Sequence, residues 1–267
     1  MIHTTRLGDP AGLPAVLAHC FLGHSGGWKR LIAALDTRLD ATAFDLPGHG
    51  RSGPWDAQGD LHERSTAALA AQISAPALLI GHSFGGTLAL RHALEAPDRV
   101  LGLVLIEPVL FAAVAGTPEF AAHVAAEEPL RRAFVRGDLA EAARVFFDIN
   151  GDKAGWLAMP GPAREVMIRQ IAMIDAAAPT LMEDSAGLLA PGRMEGFDKP
   201  VLVLAGAKSP PIFPAAAGAI AARLGRAEFA RVPGAGHMAP LTHPHETAAL
   251  IDAWAARIGL NETPRVG

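Results

Sequence analysis

The residues with the most chemical content in this sequence are Gly81-His82-Ser83-Phe84-Gly85, which follow the apolar run Ala77-Leu78-Leu79-Ile80 and open a helical pattern reaching Glu95. A Gly-x-Ser-x-Gly between strand and helix makes a tight, strained turn that lifts the serine hydroxyl above a sheet edge, and small neighbours give it clearance. Gly81, Gly85 and Gly86 supply that clearance. The helix that follows aims its first N–H groups at the same place, where they favour developing negative charge. Ser83 is therefore the candidate nucleophile. Other chemistries are excluded or weakened. Cys20, the single cysteine, can form neither an internal disulfide nor a thiolate zinc site, and with no tyrosine there is no phenol to act as acid, base or nucleophile. His243 and His245 have no third ligand or acidic set beside them and read as a helix-entry segment, not a metal site. Gly48-His49-Gly50-Arg51-Ser52-Gly53 fits the dinucleotide pattern, but Pro54 and Trp55 stand where a helix should open, and no acidic residue ends a second strand about 20 residues on.

The elements that must position Ser83 are legible as short apolar runs bounded by Gly and Pro: Pro14 to Cys20, Ala41 to Leu46, Ala77 to His82, Val100 to Ile106, Val201 to Gly206 and Glu228 to Val232. Helical patterns at Trp28 to Leu35, Leu61 to Ile73, Phe84 to Glu95, Ala215 to Leu224 and Glu246 to Ile258 alternate with them. Strands apolar on both faces, separated by helices, predict an α/β fold with a mostly parallel sheet covered on two sides. Between Val109 and Phe197 the strand signal stops. Helical stretches such as Leu139 to Phe147 and Ala163 to Ile174, broken by Pro129, Gly151, Pro160 and Pro179, replace it. We expect a core of residues 1–109 and 197–267 with a helical cap inserted at 110–196. Ser209 to Pro214 reads as a loop, and the apolar cap residues Phe146, Phe147, Trp156, Met159, Met167 and Met173 as mostly internal packing.

The net charge is −4, with 23 Lys plus Arg scattered among 27 Asp plus Glu, so no basic footprint for nucleic acid or an anionic membrane exists. The two most apolar stretches are interrupted by Pro76 and Ser83 and by Glu107 and Pro108, and neither suits a bilayer-spanning helix. No signal-peptide pattern is visible at Met1 to Pro10, which predicts a cytoplasmic protein and leaves the sequon Asn261-Glu262-Thr263 without meaning.

Four segments in order carry a resemblance to the α/β-hydrolase superfamily. His19-Cys20-Phe21-Leu22-Gly23 resembles its oxyanion loop, with Cys20 at a usual glycine position; Asp45-Leu46-Pro47-Gly48-His49-Gly50-Arg51-Ser52 resembles the fourth-strand turn; Gly81 to Gly85 resembles the nucleophile turn; Gly234-Ala235-Gly236-His237 resembles the histidine loop. The resemblance implies Phe21 and Phe84 backbone N–H groups as oxyanion donors and His237 as general base, with His19 and His82 structural. Cys20 reads as a small buried side chain. The family's acid usually follows the next-to-last strand, and in Gly206-Ala207-Lys208-Ser209 that place holds a serine. Asp198 and Glu228 precede their strands, and Asp175, Glu183 and Asp184 belong to the expected cap. Glu107, ending the neighbouring strand, remains. A one-strand move shifts the origin of the acid by about 4.8 Å, within reach of the longer glutamate.

The expected protein is thus a serine hydrolase cleaving a small or medium carboxylic ester or lactone, with Ser83, His237 and Glu107 catalytic and no metal or organic cofactor. Its expected partner is a small-molecule substrate. Carbon–carbon hydrolysis of a diketone and ligand binding on a hydrolase scaffold remain alternatives. Haloalkane dehalogenases and epoxide hydrolases are excluded, since they use Asp where Ser83 stands.

Overall fold

The computed structural model describes residues 1–260; the sequon at 261–263 lies outside them. Seven strands, β1 (Thr4–Gly8), β2 (Leu13–Ala18), β3 (Leu39–Phe44), β4 (Ala77–His82), β5 (Val100–Ile106), β6 (Val201–Gly206) and β7 (Ala227–Val232), form one sheet in the order β1-β3-β2-β4-β5-β6-β7. Every neighbouring pair is parallel except β1 with β3. The chain reverses its direction of travel across the sheet after β3, returning to the other side of β2 with β4. In open parallel sheets such a switch leaves a crevice beyond the carboxyl ends of the strands.

Helices α1 (Lys29–Ala34), α2 (Leu61–Ala70) and α3 (Phe84–Glu95) connect the first strands. Between β5 and β6 lie α4 (Pro118–Val135), α5 (Leu139–Ile149), α6 (Lys153–Ala158), α7 (Gly161–Gln170) and α8 (Ala172–Glu183). The chain then forms α9 (Ile212–Arg223), α10 (Ala239–Thr242) and α11 (Pro244–Arg257). β4 and β6 are buried at every residue, as strands covered on both faces must be. One face packs Leu79, Leu103 and Val203 against Phe84, Leu88 and Phe213, and the other packs Leu78, Ile80 and Val104 against Leu31, Ile251 and Trp254. A third cluster, centred on Leu130, Ala143 and Trp156, lies within the helices between β5 and β6. That segment is tied to the sheet side by Met173, which joins the first cluster, and by Gln170 Nε2, which donates to Gly48 O at 2.8 Å.

The sequence reading omits one strand, and two of its expectations need correction. β1 carries no apolar run, only the alternation of an edge strand, and its register is set by β3 through Thr4 opposite Phe44 and Gly8 opposite Asp40. Pro129 and Pro179 do not break helices: they sit inside α4 and α8. Each removes a donor to the carbonyl four residues back, but Ala125 and Asp175 are exposed, so water can serve those carbonyls. Ser209 to Pro214 is not all loop, since α9 begins at Ile212 and places Pro214 in its first turn, where an N–H would have no helical acceptor.

The turn after β4 is pressed against β2. A Cβ on Gly85 would stand 2.1 Å from Ala18 O and 2.6 Å from His19 O, so no side chain fits without backbone movement. Gly218, in α9, has open space around the same position. Gly85→Ala should therefore lose about 3 kcal/mol in urea unfolding, as overpacking does. Gly218→Ala should be neutral or gain up to about 1 kcal/mol from helix propensity. Equal midpoints for the two variants would refute the close approach.

Candidate active site

The strand ends set the geometry of the site before any side chain does. Ser83 N–H donates to Ile106 O at 2.9 Å, extending the β4–β5 ladder by one rung, and Glu107 N–H donates to Leu204 O at 2.8 Å, doing the same between β5 and β6. Both residues then leave the sheet through positive φ, 56° at Ser83 and 46° at Glu107. For residues bearing a Cβ this conformation is strained, and it turns each side chain over the sheet edge. His237 arrives from the loop after β7, where Gly234 takes φ 74°. Its carbonyl accepts from His82 Nε2 at 2.8 Å, and Phe213 stacks on its ring at 4.2 Å between centroids.

These elements bring Ser83, His237 and Glu107 into one line. Ser83 Oγ lies 3.0 Å from His237 Nε2, and His237 Nδ1 lies 2.6 Å from Glu107 Oε2. The arrangement fits the tautomer in which Nδ1–H donates to the carboxylate and Nε2 accepts from the serine hydroxyl. Glu107 is 0% exposed, and a charge so buried demands hydrogen-bond partners. Burial pushes its pKa up, yet the hydrogen bond and charge of His237, the Ser209 hydroxyl and the Gly206 N–H together hold it below the ordinary glutamate value. The Gly206 N–H donates to Oε1 at 2.6 Å. The Ser209 hydroxyl, at the position of the expected acid, is buried close enough to favour the carboxylate but completes no hydrogen bond of good geometry.

On the other side of Ser83, the rings of Phe21 and Phe84 stack at 3.9 Å. Among the described residues neither backbone N–H of this pair has an acceptor. Leu22 bends the loop away with φ 60°. His19 fixes the loop from below: its Nδ1–H donates to Cys20 O at 2.7 Å and its Nε2 accepts from Leu46 N–H at 3.0 Å. Asp45 fastens the adjoining turn by accepting from the N–H groups of Ser25 and Arg51 at 2.6 and 2.7 Å. Burial drives both His19 and His82 down to about 3, so each is a neutral strut. Sequence reasoning missed the Gly206 N–H and the Phe213 ring; a backbone donor leaves no residue signature, and Phe213 lay in the stretch read as loop. Among the described residues no group of three or more His, Cys, Asp or Glu side chains could hold a metal, and no helix is long and apolar enough to cross a membrane.

A family model described as the alpha/beta hydrolase family matches residues 15–250, and the chain belongs to that family. Among curated proteins it is 40% identical over 114 residues to "Lipase LipV" of Mycobacterium tuberculosis, covering 41% of this chain and 42% of that one. It is 42% identical over 104 residues to the dihydrolipoyllysine-residue acetyltransferase component of the acetoin cleaving system of Pseudomonas putida, covering 38% of this chain and 28% of that one. It is 36% identical over 105 residues to the pimeloyl-[acyl-carrier protein] methyl ester esterase of Nitrosomonas europaea, covering 39% and 40%. The matches thus span less than half the length of these relatives. The fold resembles that of a thermophilic esterase from Thermogutta terrifontis, with TM-score 0.70, 22% identity and coverage of 96% of this chain and 93% of that one. Carboxylesterase CesB from Bacillus subtilis gives TM-score 0.64, 20% identity and coverage of 96% and 88%.

Cys20 is 6% exposed, and burial raises its thiol to about 12. Only the thiolate alkylates readily. Iodoacetamide at pH 8 should leave Cys20 in native protein largely unmodified and label it fully in urea. Rapid stoichiometric labelling of the native chain, read by mass spectrometry, would contradict this placement.

Proposed function

From its membership of the alpha/beta hydrolase family we propose that this chain hydrolyses carboxylic esters through an acyl-enzyme on Ser83, with residues 110–196 as a cap over the site. The observation that carries the reading is the unbroken line from buried carboxylate to imidazole to serine hydroxyl, at 2.6 and 3.0 Å. In this reading Ser83 Oγ attacks the ester carbonyl carbon while His237 Nε2 takes the hydroxyl proton. The carbonyl oxygen becomes an oxyanion received by the free N–H groups of Phe21 and Phe84. As the tetrahedral adduct collapses, the bond to the leaving oxygen breaks and His237 delivers its proton there. Water, deprotonated by His237, then attacks the acyl-enzyme, and its collapse releases the acid and restores Ser83. One ester and one water become one acid and one alcohol. Glu107 holds the imidazole in the useful tautomer and stabilises the imidazolium formed in both halves.

The lipase and methyl ester esterase among the relatives support this assignment. Ligand binding on a hydrolase scaffold would require no such connected relay.

Ser83→Ala should abolish ester turnover and leave thermal unfolding within about 1 kcal/mol of the parent, because it removes one hydroxyl and no core packing. A fluorophosphonate should label Ser83 and no other residue in the parent chain; an adduct elsewhere would sink the assignment.

Glu107→Gln keeps the shape and removes the charge, so kcat should fall on the order of 10³ to 10⁴-fold, by analogy with other triads. Ser209→Ala should cost less than about tenfold, since its hydroxyl contributes only to the surroundings of Glu107. A Glu107→Gln enzyme with near-normal kcat would leave Ser83 and His237 acting without this acid.

A further inference from the structure

Two cavities meet at Ser83. The smaller, about 330 Å³, is lined by His237, Trp28, Met159, Met167 and Leu241 among others. The larger, about 570 Å³, runs between α4 and α8 and is lined by Phe111, Phe120, Leu130, Ile174 and Leu181, but not by His237. The leaving oxygen of an ester takes its proton from His237 Nε2, so the alcohol part belongs in the smaller cavity and the acyl part in the larger.

Volume is not the limit where the two join. Among the described residues four border both cavities: Ser83 and Phe21 from the sheet side, and Phe146 and Asn150 from the C-terminal end of α5. An ester attacked by Ser83 keeps its carbonyl carbon at that junction, and the acyl carbon beside it is the first to enter the larger cavity. Packing holds both walls. The Phe21 ring stacks on Phe84 at 3.9 Å between centroids. On the cap side Ala142, Ala143 and Val145 bury α5 in the third cluster, and Phe146 packs against that cluster. Asn150, four residues on, shares the face of Phe146. Its Nδ2 donates to Phe146 O at 2.7 Å, which folds the amide back on its own helix. The bulk that α5 sets into the passage is therefore the Phe146 ring.

We propose that Phe146 decides which acyl groups reach Ser83. Esters whose acyl chain is unbranched at the carbon beside the carbonyl pass the ring and have the whole larger cavity beyond it, so branching farther out is accepted. Esters branched at that first carbon are turned away. This selection rests on the ester-hydrolase reading and adds to it the class of acyl group and the side chain that selects it.

Benzyl esters of three isomeric acids, hexanoic, 4-methylpentanoic and 2-ethylbutanoic, test it, because they match in composition and differ only in where the chain branches. Each kcat/KM is divided by the rate of alkaline hydrolysis of the same ester, which removes the intrinsic effect of branching. In the parent chain the 2-ethylbutanoate should then lie about tenfold or more below the hexanoate, and the 4-methylpentanoate within about threefold of it. Phe146→Ala should raise kcat/KM for the 2-ethylbutanoate by about fivefold or more, a gain that damage to the fold does not produce, and Phe146→Trp should lower it further. Phe147→Ala trims a ring that lines the smaller cavity only, and should leave the ratio of branched to linear acyl group as in the parent. If Phe146→Ala fails to fold, Phe146→Leu keeps an apolar side chain without the ring and should give a rise of about twofold or more. A parent that takes the 2-ethylbutanoate as readily as the hexanoate, or a ratio unmoved by trimming Phe146, would overturn the proposal while leaving ester hydrolysis at Ser83 in place. Should no ester turn over, the ester-hydrolase reading fails instead, and calorimetry with the uncleavable ketones, CH₂ replacing the ester oxygen, decides the passage. The parent should bind the 4-methylpentanoyl ketone about fivefold more tightly than the 2-ethylbutanoyl one, and Phe146→Ala should close that gap. Equal affinities in the parent would refute the role of the ring.

Discussion

A carboxylate with no exposed surface is the constraint around which this site is arranged. Glu107 cannot keep its charge in the sheet interior unless every neighbouring group is turned towards it. The Gly206 N–H at 2.6 Å and the His237 Nδ1–H at 2.6 Å provide two charge-assisted hydrogen bonds, one from each neighbouring part of the chain. That requirement fixes where β6 ends, because Gly206 must present its N–H beside β5. It also fixes the loop after β7, because His237 must face inward, and His82 secures that loop by donating to the His237 carbonyl. The neutrality of His82 matters here: a second cation 5.1 Å from the His237 ring would oppose imidazolium formation.

Strain is concentrated where these residues meet. Among the described residues five other than glycine have positive φ, and three of them, Leu22, Ser83 and Glu107, surround the site. Each such residue costs on the order of 1–3 kcal/mol and persists only where its surroundings over-determine it. Here the surroundings are the ladder rungs at Ile106 O and Leu204 O, the stacked rings of Phe21 and Phe84, and the glycines that let the turn lie against β2. Rigid strand ends hold a constellation more sharply than free loops do.

The α/β alternation was legible because central strands such as β4 and β6, buried on both faces, read as apolar runs. β1 does not, since an edge strand exposed on alternate residues needs no run and takes its register from β3. Ser83 was legible from its glycines, and Glu107 from its place at a strand end together with the serine at 209. What the sequence could not disclose depends on packing between distant segments. Pro129 and Pro179 look like breaks until the exposure of the carbonyls they orphan is known. The donor at Gly206 belongs to the backbone. The division of space around Ser83 into two cavities arises from how α4, α5 and α8 sit over the sheet, and no local pattern encodes it.

Placing a buried carboxylate at the end of β5 has a consequence for the turn after β6. That turn meets Glu107 through the backbone N–H of Gly206 and through the nearby Ser209 hydroxyl, while Ala207 and Lys208 point to solvent. The exposed side chains of Ala207 and Lys208 are therefore released from the duty that a carboxylate there would impose. Replacements at the exposed Ala207 and Lys208 can alter the surface there so long as their N–H groups keep donating to Val232 O and Ala235 O, which hold this turn to the loop of His237. Evolvability at that corner follows from moving a single charge one strand over.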